Sequence, residues 1–134
     1  MLIIRDVPLV SLQEQIFAVL KAGQDHAVYG GTLPENAESP CITFGNVTAK
    51  PITVKNESMW HCTVTLDVWA GTDEKEVVNE AVNDISALLT FKGTGMQVDA
   101  YNVLDVDIEL VEAFPSDQYG YHGTVTAAFD LQHK

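Results

Sequence analysis

Three carboxylates, Asp105, Asp107 and Glu109, alternate with Leu104, Val106, Ile108 and Leu110. Carboxylate oxygens hold Ca²⁺ or Mg²⁺ when several converge, and paired carboxylates carry glycosidic acid–base chemistry. The spacing argues against both. Alternate residues of a strand point to opposite faces, so one side of this stretch is expected to be aliphatic and the other a ladder of acids. Three acids spread along a straight strand lie too far apart to close on one ion, and the glycine and polar loop of an EF-hand are missing. A catalytic pair would need a facing element and a cleft, which the pattern does not imply. The expectation is an aliphatic face that helps build the core and a carboxylate face turned to water or an interface.

The other chemistry-bearing residues are sparse. His26, His61, His122 and His133 follow no metal-ligand spacing, although His61 and His122 would be cross-strand neighbours if their strands pair in that register. Cys41 and Cys62 sit in apolar, strand-like runs and read as buried thiols. Gly93-Thr94-Gly95 follows a helical pattern, whereas a phosphate-binding glycine loop precedes one, so it reads as a helix stop. No nucleophile elbow or dinucleotide fingerprint is present. Trp60 and Trp69 are an odd number of residues apart and fall on opposite faces of one strand, leaving Trp69 to cover a sheet edge, a partner surface or the rim of the core. These residues predict no enzyme, no metal and no cofactor.

Charge narrows the class further. Nineteen acids against seven Lys and Arg give 134 residues a formal net charge of −12, and no Lys or Arg occurs between Gly93 and His133. Binding to phosphate backbones or anionic lipid relies on clustered cations, so neither nucleic acid nor a membrane surface is an expected ligand. The apolar start, Met1-Leu2-Ile3-Ile4, is short for a signal peptide, and synthesis in a reducing cytoplasm is expected. On that view Asn46-Val47-Thr48 and Asn56-Glu57-Ser58 are chance sequons.

The elements that position these residues follow from period and punctuation. Ser11-Leu12-Gln13-Glu14 has the form of a capping box, and Leu12, Ile16, Val19 and Leu20 recur at helical spacing, predicting a helix over about 10–22. Residues 24–39 read as a long loop, and 41–54 as a strand that bends or breaks near Gly45 and Pro51, with Lys50, Lys55 and Asn56 in a polar turn. Residues 59–69 alternate as a half-buried strand with Trp60, Cys62, Val64, Leu66 and Val68 on one face. Thr72 reads as the N-cap of a second helix, to about Thr90, whose stripe runs through Val77, Val78, Ala81, Val82, Ile85, Leu88 and Leu89. The acidic strand, a loop over 113–120 and a last strand with Tyr121, Val125, Ala127, Phe129 and Leu131 inward complete the chain. The expected architecture is α+β: one domain, residues 1–134, of two helices packed on a mainly antiparallel sheet with long mobile loops.

In this order the chain resembles the tail completion and tail-to-head joining proteins of siphophages. The resemblance rests on the helix from Leu12 to Leu20, the approach Pro40-Cys41-Ile42-Thr43-Phe44-Gly45, and the strand His61-Cys62-Thr63-Val64-Thr65-Leu66-Asp67-Val68-Trp69. The helix that follows directly and Tyr121-His122-Gly123 leading into the last strand complete it. It covers nearly the whole chain and departs from the family's habit at Cys41, where an aromatic or aliphatic residue is more usual.

The resemblance implies a structural virion protein without catalytic residues. Such a protein would form a ring, with a hexamer expected, at the neck between head and tail, after synthesis in the host cytoplasm. Its partners would be the head-completion (stopper) proteins of the portal connector and the tail tube or tail terminus proteins, and DNA would pass through the ring without specific binding. Loops that can order on assembly supply the candidate protein contacts: Tyr29, Glu35 and Asn36; Lys50, Lys55 and Asn56; Asp117 and Tyr119. Asp105, Asp107 and Glu109 would face the lumen or solvent. The alternatives are a tail terminator or other neck adaptor of the same fold and, from the carboxylates alone, a cation-binding or hydrolytic protein.

Overall fold

A computed structural model describes residues 7–30, 34–54, 57–71, 73–116 and 120–134. Helix α1 spans Leu9–Gly23, and strands β1 (Ala27–Tyr29), β2 (Cys41–Val54) and β3 (Glu57–Ala70) follow. Helix α2 spans Lys75–Lys92, a single 3-10 turn covers Gly93–Gly95, and β4 (Tyr101–Ser116) and β5 (Gly120–His133) close the chain. The five strands lie in the order β1-β2-β3-β5-β4. All neighbours are antiparallel except β1 and β2. The α+β expectation is met, with both helices against one face of the sheet.

That face is the core. From α1 it takes Leu12, Ile16 and Leu20, and from α2 Val78, Ala81, Val82, Ile85 and Leu89. These pack over the even-numbered residues of β3, Trp60 to Val68, and over Val125, Ala127, Phe129 and Leu131 of β5. Tyr121, expected inward, is half-buried beside them. The Trp60 indole N–H enters this core and donates to the Tyr101 hydroxyl at 3.1 Å, so its one polar atom is satisfied.

Ser11 does not cap α1, because the helix begins two residues earlier, behind Pro8. The Ser11 hydroxyl instead accepts the Asp99 backbone N–H at 2.9 Å, tying α1 to the segment before β4. The stretch after α1 is not loop throughout: Gln24 bonds back to Leu20 O and to both backbone groups of His26, and β1 follows. Strand β2 does not break. A bulge between Phe44 and Val47 absorbs the irregularity, Pro51 stays in the strand, and Lys50 is paired with His61 within the ladder. Gly45 belongs to that bulge, where a Cβ would lie 2.7 Å from Asp67 Oδ2, so any other residue there must displace that carboxylate. Thr72 lies outside the described residues. Helix α2 starts at Lys75 with Glu74 as its cap residue, and Glu74 Oε1 accepts the Gly71 N–H at 2.8 Å. The expected loop at 113–120 is mostly strand, since β4 runs to Ser116 and β5 begins at Gly120.

Both cysteines are free and buried. Burial, and then the negative charge of Asp130, pushes the Cys62 thiol from its ordinary 9.0 up to about 11. In the unfolded chain that thiol ionises near its ordinary value, so stability holds below it and falls as pH rises from there to about 11, by roughly 3 kcal/mol in all. Urea unfolding on either side of this window should show the decline, and Cys62→Ala should flatten it. An unchanged decline in the variant would remove Cys62 as its source.

Candidate functional site

The face of the sheet opposite the helices carries the polar side chains, and no described element covers it. Its composition follows from the odd-numbered residues of β3, which alternate with the core set: His61, Thr63, Thr65, Asp67 and Trp69, all half-buried. Register then assembles rows across four strands. One row reads Lys50, His61, Asp130 and Asp105, from β2 to β4. Another reads Thr43, Asp67, Thr124 and Glu112, and the next Cys41, Trp69, His122 and Phe114.

Two imidazole–carboxylate pairs order this face. His61 Nδ1 lies 2.7 Å from Asp130 Oδ1, and His122 Nε2 lies 2.9 Å from Asp67 Oδ1. Asp67 also accepts the Thr124 hydroxyl at 3.3 Å. The His122 ring stacks on Trp69 with centroids 4.0 Å apart and meets Phe114 at 5.0 Å. Trp69 donates its indole N–H to Thr43 Oγ1 at 2.9 Å. Trp69 thus lies on a central strand in the open face, held from both sides, and covers no sheet edge. His61 and His122 are not cross-strand neighbours: they sit in different rows, each with its own aspartate.

The acidic ladder is reshaped by two bulges, between Val103 and Asp105 and between Ile108 and Leu110. Each adds a residue to β4 and reverses which parity faces the core. The core side is therefore Val103, Val106, Ile108, Val111 and Ala113, opposite Leu131, Phe129, Ala127, Val125 and Gly123. Asp105 and Asp107 lie on the open face together with Leu110, Glu112 and Phe114. Glu109 is the extra residue of the second bulge and has no partner in the β4–β5 register. The expected aliphatic side does not hold as a set, since Leu104 and Leu110 are exposed.

The candidate contact residues separate along the sheet. Tyr29, in β1, accepts the Glu38 N–H on its hydroxyl at 3.0 Å, and Glu35 and Asn36 are exposed in the turn that follows. Lys50 is exposed on β2, in the same row as Asp105. Lys55, Asn56, Asp117 and Tyr119 lie outside the described residues. Sequence reasoning missed Asp67, His122 and Thr124 as a connected set, and Asp130 as the partner of His61. Period two in β3 and β5 exposes each of them, but only register pairs them. Among the described residues no three His, Cys, Asp or Glu side chains come together as a metal site, and no helix is long and apolar enough to cross a membrane.

The model of the family "Tail completion protein gp17" matches residues 14–128, from within α1 to within β5. The chain belongs to this phage tail completion protein family. Among solved structures, a chain from the virion of native gene transfer agent (GTA) particle aligns with a TM-score of 0.76. The alignment covers 90% of this chain and 94% of that one at 12% identity, so what the two share is the fold. No curated protein matches the sequence.

The family resemblance in the sequence is thereby confirmed over nearly all of the sheet. The matched stretch holds the His122–Asp67 pair and His61, whose partner Asp130 lies two residues beyond it.

Proposed function

We propose that this tail completion family member is a structural component of the virion neck, assembled as a ring of expected sixfold symmetry that joins the finished tail to the DNA-filled head. The family match over residues 14–128 carries this reading. Its partners are the stopper proteins of the portal connector on one side and the tail tube or tail terminus proteins on the other. No catalytic step is assigned to it.

Within such a ring the open face of the sheet turns to the lumen and the helices to the outside. Asp67, Asp105, Asp107, Glu112 and Asp130 then border the path of the genome, with Lys50 as the one lysine in their cross-strand rows. Like charge keeps phosphate from adhering, so DNA slides past without specific binding.

Electron microscopy of isolated DNA-filled heads and isolated tails mixed with purified protein tests the reading. Joined particles are expected only when the folded protein is present. Absence of joining defeats the proposal, and tails that become capped yet never join would point to a terminator. Asp105→Asn with Asp107→Asn is expected to leave joining intact while slowing DNA release. Loss of joining in that folded variant would place the acids in a contact and not in the lumen.

A further inference from the structure

Strand β4 is an edge strand, bonded to β5 on one side only among the described residues. An exposed edge offers a row of free N–H and C=O groups, and proteins blunt such edges with charge, bulges and proline. In β4 these devices are unevenly placed. Asp105, Asp107, Glu109 and both bulges fall before Leu110. From Leu110 to Ser116 the strand pairs without a break, and the proline in that run, Pro115, comes only after Phe114. Apart from Glu112 the side chains of Leu110–Phe114 are apolar on both faces, Leu110 and Phe114 beside Glu112 on the open face and Val111 and Ala113 on the helix side. Leu110, Val111 and Phe114 are 47%, 44% and 38% exposed. The opposite edge differs, since the part of β2 that β1 leaves open carries a bulge, Lys50 and Pro51.

We infer that Leu110–Phe114 is a strand-addition site for an extended segment of another virion protein, apolar at alternate positions and bearing Lys or Arg. Charge selects this occupant. Glu112 lies inside the site and Glu109 at its border, and no Lys or Arg occurs from Gly93 to His133. A second copy brings the same net charge of −12. Pairing β4 with its own copy would also set two Glu112 side chains in one short ladder, where like charges destabilise. A basic segment gains backbone hydrogen bonds along the edge, two apolar faces to cover and a partner for Glu112. This inference rests on the joining role and names a surface for it.

The test uses the whole purified chain and a short synthetic peptide alternating valine with lysine, with a second peptide carrying glutamate in place of lysine. NMR amide shifts and hydrogen-exchange protection are followed on the chain. The lysine peptide should protect and shift residues 110–114, and Glu112→Lys should weaken it about tenfold or more as attraction becomes repulsion. Leu110→Lys with Phe114→Lys should abolish binding. Glu112 is exposed, so its variant keeps the test valid if the double variant fails to fold. No binding, equal binding of the glutamate peptide, shifts elsewhere, or self-association through 110–114 would each overturn the inference. The variants also enter the head–tail mixture. If wild type joins and folded Glu112→Lys joins equally well, this surface is wrong and the joining role stands; if wild type fails to join, the joining role itself falls.

Discussion

Replacing Phe129 by alanine is expected to lower the stability of the folded chain by about 3–5 kcal/mol, the range for deleting a fully buried aromatic ring. Phe129 heads the largest fully buried side chains. It lies on β5 between Cys62 of β3 and Val106 of β4, beneath the helix layer. Its removal opens a cavity where two strand pairings and the helix layer meet, and the flanking strands are bonded on both sides of β5, so collapse onto the hole is restricted. Urea unfolding followed by tryptophan fluorescence should show the midpoint moving sharply to lower urea with an unchanged slope. A loss below about 1 kcal/mol would mean that the site repacks, contrary to the close-packed core described above.

Gly123→Val is expected to destabilise by about 3 kcal/mol, at the upper end for overpacking, by lifting α2 from the sheet. Gly123 pairs with Val68 and Ala113 in the middle of the helix-covered face. A Cβ built there would lie 2.6 Å from Val82 Cγ1 and 2.8 Å from Val78 Cγ1. Both valines belong to the buried stripe of α2, so the helix rests directly on strand backbone at this point. Gly123→Ala should cost less, and Val82→Ala should partly rescue either variant, a coupling that a double-mutant cycle reads directly. Additive losses would show that α2 does not contact β5 at this glycine. Because α2 buries one face of the sheet, this contact also decides which face remains open.

The contrast between β3 and β4 shows why part of this was legible beforehand. In β3 every second residue from Trp60 to Val68 is buried and the alternation runs unbroken, so period two alone assigns both faces. In β4 the same alternation is visible in the chain, but two bulges reverse the parity twice. Leu104 and Leu110 emerge from the core side, and Glu109 drops out of the ladder. Nothing local to Leu104 or Glu109 announces a bulge, which is a compromise between the register of β4 and the path of β5. Strand β1 was missed for a related reason, since three residues are too few to carry a period and exist as a strand only because β2 lies beside them.

By itself the sequence determined the two amphipathic helices, the long alternating strands, the α+β class, the negative charge and the absence of a recognisable catalytic motif. Each of these depends on residue type and on neighbours a few positions away. Tertiary structure alone decided the strand order β1-β2-β3-β5-β4, the pairing of His61 with Asp130 and His122 with Asp67, and the stretch of β4 that runs free of bulges beyond Glu109. These depend on register between segments distant in the chain, where a shift of one residue turns every side chain to the other face. The physical boundary between the two is therefore range: periodicity is local, whereas the row that joins Lys50, His61, Asp130 and Asp105 exists only once four strands lie side by side.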